Sequence, residues 1–279
     1  MNVVFVHRLG PQMASFRYRT QVPVEQLKAL GWNAEINNGE ADVVVFSKPI
    51  AEDVKSAKAL KAEGAKIVVD MCDDHFNDIK APTYREFAEI ADGIVCGSTV
   101  MRGRIFDYVK RDSVAITDPY EFPECDPHAD GDHYLWFGHQ RNFGELAAVT
   151  GVMGDRKLRV VSGPKPAPQV IPWSPENLAK AFSISNIVVL PTKPGAEYKS
   201  PNRLINTIRA GCFPVCMKHP AYLDFKHLVW VGHFPTGLRW AEAFRGDLNG
   251  LVKEAQDYIR DRYSPQTIGA QWAAYLQSL

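Results

Sequence analysis

Lys199, Ser200, Pro201 and Arg203 stand together in the run Tyr198-Lys-Ser-Pro-Asn-Arg203, where two cations flank a Ser-Pro pair of the kind that opens a helix. The spacing predicts a helix over Pro201–Ala210 with Ser200 as its N-cap. Just upstream, Ile187–Leu190 is an apolar run of the length that a parallel sheet buries. Strand, polar loop and helix start bring free N–H groups, a positive dipole end and formal charge to one place. That is phosphate-binding chemistry, and a diphosphate fits it.

The elements needed to position these residues recur along the chain. In the first half, β-branched runs at Val3–Val6, Ala34–Ile36, Val43–Phe46, Ile67–Asp70, Ile94–Cys96 and Val114–Ile116 alternate with helical stretches near Ser15–Leu30, Ala51–Glu63, Tyr84–Ala91 and Thr99–Val109. In the second, runs at Tyr134–Phe137, Leu158–Val161, Val170–Ile171, Ile187–Leu190, Phe213–Cys216 and Val229–Val231 alternate with helices near Phe143–Thr150, Pro175–Phe182, Pro201–Ala210 and Leu238–Tyr258. Such alternation marks parallel α/β units. Residues 119–132, rich in proline, glycine and acids, read as a linker. Two Rossmann-like domains facing across a cleft are expected: 1–118, joined by a final helix at about 262–279, and 133–261.

Ligands of open α/β sheets lie beyond the carboxyl ends of the strands. In the first half that rule selects His7, Arg17 and Arg19 as an acceptor side, with Asp73, Asp74 and His75 after the fourth strand. In the second it selects Gly138, His139 and Arg141, then Lys165, then Trp173 ahead of a helix capped by Ser174, then Glu197–Asn202. His7, Asp74 and His75 are candidates for a general base, which must reach its proton directly or through one water. Each has a bland alternative: His7 as a strand-end histidine, Trp173 as packing, one of Arg17 and Arg19 as a plain surface residue, Glu197 and Lys199 as a solvated pair.

Composition narrows the classes. The 279 residues carry 32 basic and 32 acidic side chains, so no global field recruits nucleic acid or an anionic membrane. No apolar run is long enough to span a bilayer, and five cysteines without zinc-ribbon spacing suit a reducing compartment, so a cytoplasmic chain without stable membrane insertion is expected. Asp130-Gly-Asp132 has a metal-binding look, but its acids suit turns, and no metal is expected there.

Tyr198 to Val215 resembles the donor-binding signature of GT-B glycosyltransferases, notably the retaining kind grouped as family four. Ala14-Ser-Phe-Arg-Tyr-Arg19, Asp70-Met-Cys-Asp-Asp-His75, Tyr134-Leu-Trp-Phe-Gly-His139 and the terminal Tyr263–Trp272 are similar to further pieces of such enzymes, in the same order. The resemblance implies an α/β GT-B fold, a terminal helix crossing back to the first domain, and a nucleotide-sugar as co-substrate rather than a bound cofactor. It implies that Glu197 holds hydroxyls of the donor sugar and that Lys199, Ser200, Pro201, Asn202 and Arg203 surround the diphosphate. Gly138 and His139 would lie beside it with Arg141 as a cation, Trp173 would flank the base, and Asn206, where the family carries a second glutamate, would meet the ribose.

A metal-free site must meet the departing diphosphate with fixed cations and N–H dipoles. In the retaining enzymes it resembles, the leaving phosphate itself helps take the acceptor proton, so that no protein base is required. The acceptor is a hydroxyl of open class: saccharide, lipid-linked, small molecule, or a modified DNA base served by Arg102, Arg104, Lys110 and Arg111. A nucleotide-sugar epimerase and a non-catalytic nucleotide-sugar-binding subunit are the alternatives.

Overall fold

The computed structural model describes residues 1–163, 169–193 and 195–279 and divides into two compact units. Unit 1 comprises Met1–Pro119, Tyr198–Ser200 and Arg262–Leu279; unit 2 comprises Tyr120–Glu197 and Pro201–Asp261. Lys165 lies outside the described residues.

Unit 1 is built on a parallel sheet of β1 (Asn2–Val6), β2 (Asn33–Ile36), β3 (Val43–Ser47), β4 (Lys66–Met71), β5 (Gly93–Cys96) and β6 (Val114–Ala115), in the order β2-β1-β3-β4-β5-β6. The inner runs Val3–Val6, Val43–Phe46, Ile67–Val69 and Ile94–Cys96 are apolar at every position because both faces are covered. Val44, Phe46, Ile67, Val69 and Ile94 pack on one side with α3 (Ala51–Ala62), α4 (Ala81–Ile90) and α5 (Thr99–Val109). Their strand neighbours Val43, Val45, Val68 and Val95 face the other side, with α2 (Val22–Ala29) and α11 (Pro265–Gln277). That alternation is the two-residue period of a strand.

The helix expected over Ser15–Leu30 is three pieces: α1 (Ala14–Phe16), a π-helical turn at Arg17–Gln21, and α2. Pro23 has no N–H to offer the carbonyl of Arg19, four residues back, and the extra residue of the π turn falls at this interruption. The turn rotates Tyr18, Arg19 and Thr20 into the interior. The terminal helix α11 packs on α2 within unit 1, with Trp272 fully buried edge-on against Phe5. Trp272→Ala is therefore expected to cost about 3–5 kcal/mol, read as a lowered midpoint in urea denaturation.

Unit 2 repeats the plan with β7 (His133–His139), β8 (Lys157–Gly163), β9 (Ile171–Pro172), β10 (Ile187–Leu190), β11 (Phe213–Cys216) and β12 (Trp230–Val231), ordered β12-β11-β10-β7-β8-β9. Counted within the unit this is the 3-2-1-4-5-6 order of a dinucleotide-binding sheet, whose switch point falls between its first and fourth strands, β7 and β10. Its helices are α6 (Phe143–Met153), α7 (Pro175–Ser183), α8 (Asn202–Arg209), α9 (Phe234–Ala243) and α10 (Leu248–Arg260). The single helix expected over Leu238–Tyr258 is thus two, broken by a 3-10 turn at Arg245-Gly-Asp247.

Residues 120–132 are not a loose linker. Cys125 N–H donates to the Arg209 carbonyl, His128 N–H to that of Gly211, and Gln256 Nε2 to Cys125 O, while Ala129 is fully buried. Glu124 collects Arg209, Lys253 and Arg260. The proline-rich composition marked irregular backbone correctly, but that backbone is a fixed part of unit 2.

Candidate functional site

At the switch point of unit 2, β7 runs into a short 3-10 turn, Gln140–Asn142, before α6. His139 caps the turn: its Nδ1 accepts the Arg141 N–H at 3.2 Å. The Arg141 guanidinium is exposed and has no partner among the described residues. Beyond β10, Lys193 donates to Asn142 Oδ1 at 3.3 Å, joining the loops that follow the two strands of the switch point. Glu197, four residues on, is exposed and its carboxylate likewise meets no partner among the described residues.

Arg203 lies in the first turn of α8, over the rings of Trp136 and Phe137 at 5.5 and 5.4 Å. One nitrogen donates to Glu145 Oε2 at 3.2 Å, in the first turn of α6. Its Nε and Nη2 are buried without an acceptor among the described residues. Two orphaned donors on a planar fork match the oxygens of a phosphate. Glu145 and Lys193 were not selected from the sequence; the signal for Lys193 was its place just past a strand, whereas nothing in the sequence marks Glu145.

Several expected roles are corrected. Ser200 does not cap the helix, which begins at Asn202 with Pro201 as its N-cap residue; its hydroxyl donates instead to Asp118. Asn206 is 2% exposed, accepts the Glu121 N–H at 2.8 Å and donates to Asn202 O at 2.8 Å, so its amide holds residues 120–132 in place and is unavailable to a ribose. Gly138 has a packing reason of its own: a Cβ there would lie 3.1 Å from the Trp136 ring. Trp173 is half-buried, with its backbone N–H on the Ser162 carbonyl, and Ser174 caps α7 as expected.

In unit 1 the largest correction concerns Arg19. It is 1% exposed and forks onto Asp70, at 3.0 Å from Nε and 2.7 Å from Nη2, with further contacts to the Ile116 carbonyl and Asp118 and to the face of Trp272. An acceptor cannot reach it. Arg17 donates to the Pro11 carbonyl at 2.7 Å and braces the loop before α1. Asp74 accepts the Phe76 N–H and the Arg104 guanidinium, both at 3.0 Å, which occupies its two oxygens. Asp74 is thus engaged in bracing the segment after β4.

His75 keeps more freedom. Its Nδ1 lies 2.6 Å from Asp78 Oδ2 and its ring stands edge-on to Tyr84, while Nε2 has no hydrogen bond to a described residue. His7, just past β1, is 2% exposed. Its Nδ1 accepts the Leu9 N–H at 3.0 Å, so Nε2 carries the proton, and that N–H is buried without a partner. A histidine in this state donates; it is no base.

Burial, with the charge of Lys48 beside it, lowers His7 from 6.5 to about 4. Between those values the unfolded chain binds the extra proton, so stability rises with pH across the window. About 3 kcal/mol present above pH 6.5 is lost as pH falls to 4. Denaturation at pH 4.5 and 7 should show that slope, flattened in His7→Gln.

Lys48 follows β3 in a left-handed conformation, φ 52°, and its Nζ meets Asp73 at 2.5 Å. Asp73 sits well below the usual carboxylate range because Lys48 and then Lys199 outweigh the cost of its burial. Lys199 packs in unit 1, held between Tyr198, whose carbonyl accepts the Ser98 hydroxyl at 2.6 Å, and Ser200.

No family model matches the chain, and no curated protein matches it in sequence. Its structure does have counterparts. Trehalose-6-phosphate synthase of E. coli, solved with UDP-2-fluoro glucose, superposes with a TM-score of 0.70 at 10% identity, over 100% of this chain and 99% of that one. TarM of S. aureus, in complex with fondaparinux, alpha-GlcNAc-glycerol and UDP, gives 0.64 at 11% identity over 90% of this chain and 57% of that one. The UDP-GlcNAc 2-epimerase of Neisseria meningitidis, bound to UDP-GlcNAc, gives 0.55 at 8% identity over the whole of both chains. With two parallel six-stranded sheets, each wound with helices, the chain has the GT-B fold.

Proposed function

We propose that this protein is a glycosyltransferase that moves a sugar from a nucleotide-diphosphate donor to a hydroxyl acceptor, with retention and without a resident metal. The observation that carries this reading is the switch point of unit 2, where Arg141 is uncommitted and Arg203 keeps two buried N–H donors unmatched. Breaking the bond between the anomeric carbon and the β-phosphate leaves negative charge on the departing diphosphate. Fixed cations placed there stabilise it without reorganising. Glu197, exposed and unpaired among the described residues, can accept hydrogen bonds from hydroxyls of the donor sugar. Solved structures of the same fold that hold UDP or UDP-2-fluoro glucose support the choice of donor.

Retention is supported by the state of the unit 1 candidates for a base. His7 presents an N–H and Asp74 is paired with Arg104. The leaving phosphate then takes the acceptor proton as the new bond forms. His75 retains a free ring nitrogen, so His75→Gln reads the question directly. Retention predicts less than about a tenfold fall in kcat and an unchanged product anomer by NMR, since a true general base contributes about 10²-fold or more.

Thermal denaturation with a panel of nucleotide-sugars tests the donor. A donor at one hundred times its Kd should stabilise by about 2.7 kcal/mol, and the absence of a shift with every UDP-, GDP-, ADP- and TDP-sugar would sink the reading. The epimerase structures of the same fold favour one second reading. Stoichiometric isomerisation of a donor incubated alone, followed by NMR, would establish it. A DNA acceptor draws less support: Arg104 is tied to Asp74, and Arg111 to the carbonyls of Ala88 and Ala91, which leaves Arg102 and Lys110 of the expected basic cluster.

A further inference from the structure

We infer that the switch point of unit 1 is a second anion site, holding a phosphate-type group between the imidazole N–H of His7 and the ammonium groups of Lys48 and Lys199. This rests on the transferase reading and names a feature of its substrates. In the order β2-β1-β3-β4 the switch point lies between β1 and β3, where ligands of such sheets collect. His7 follows β1, Lys48 follows β3, and Asp73 lies two residues past β4.

Asp70 forks onto Arg19, which also meets Asp118, and the Asp70 charge acts on His7 and Lys48 as well. Asp73 answers one lysine, while two lysines act on it. The second observation is independent of charge: His7, 2% exposed, leaves its Nε2–H without an acceptor. Such a buried donor is costly unless a ligand serves it. The charge of Lys48 acts on that same imidazole, so donor and cation are neighbours.

The backbone holds these groups in advance. Lys48 adopts φ 52°, a conformation that L residues seldom take. Lys199 is fixed by the anchors on either side of it, Tyr198 to Ser98 and Ser200 to Asp118. Three donors arriving from different chain segments suit a tetrahedral oxyanion, with lysines acting as point charges.

Two sources share this chemistry: a phosphate ester on the acceptor, and the phosphates of a nucleotide bound by unit 1 itself. Calorimetric titration of the full chain with glucose 6-phosphate, with glucose as control and with or without saturating UDP, separates them. We expect the ester but not glucose to bind, and Lys199→Gln and Lys48→Asn each to weaken it about tenfold, as loss of one charge-assisted hydrogen bond requires. Binding that persists under saturating UDP assigns the group to the acceptor; binding abolished by UDP assigns it to a nucleotide. Lys199 is exposed, so its variant should fold, which far-UV circular dichroism checks. No binding up to about 10 mM ester, or affinity untouched in both variants, overturns the site. A chain that fails this titration yet is stabilised by a nucleotide-sugar would keep the transferase reading and lose this one.

Discussion

Replacing Arg19 by methionine is expected to destabilise the protein by about 3–5 kcal/mol, enough to lower its soluble yield, because Asp70 would be left as a buried charge without its partner. The substitution also removes the guanidinium from the Ile116 carbonyl, from Asp118 and from the face of Trp272. Urea denaturation of the two proteins at pH 7 measures the difference. Arg19→Met combined with Asp70→Leu should recover much of the loss, since removing both partners leaves no orphaned charge. A loss below about 1 kcal/mol in the single variant would show that the pair contributes no more than a surface ion pair.

Arg141→Ala is expected to lower kcat for sugar transfer by about 10²–10³-fold, the cost of deleting one preorganised group at a developing anion. Its guanidinium is exposed and makes no contact with a described side chain, so stability should stay within about 0.5 kcal/mol of the parent. A transition-state role predicts a fall in kcat larger than the rise in KM. An equal Tm with a loss confined to KM would instead make Arg141 a plain binding residue. The pair of variants therefore separates an arginine that holds the fold from one proposed to serve the donor.

These arginines also show how far a linear reading reaches. Val43–Phe46 and Ile187–Leu190 announce themselves as buried parallel strands because local side-chain type decides whether a short run can be covered on both faces. All twelve runs named from that pattern are strands among the described residues, with ends that shift by a few residues at most. The break of the long C-terminal helix at Arg245-Gly-Asp247 and the π turn ahead of Pro23 were not foreseen, because propensity summed over a window hides a single backbone hydrogen bond.

The sequence by itself determined the two parallel α/β sheets, the strand ends at which chemistry collects, and the candidacy of Arg141, Glu197 and Lys199. Tertiary structure alone decided which polar residues are spent on the fold. Arg19 meets Asp70 across 51 residues, Asn206 meets Glu121 across 85, and Ser200 meets Asp118 across 82. A buried polar group must find its partner wherever the chain brings one, and spacing along the sequence carries no record of that match. Arg19 and Arg17 read alike at their positions; only the π turn, which carries Arg19 inward, separates a core ion pair from a loop brace.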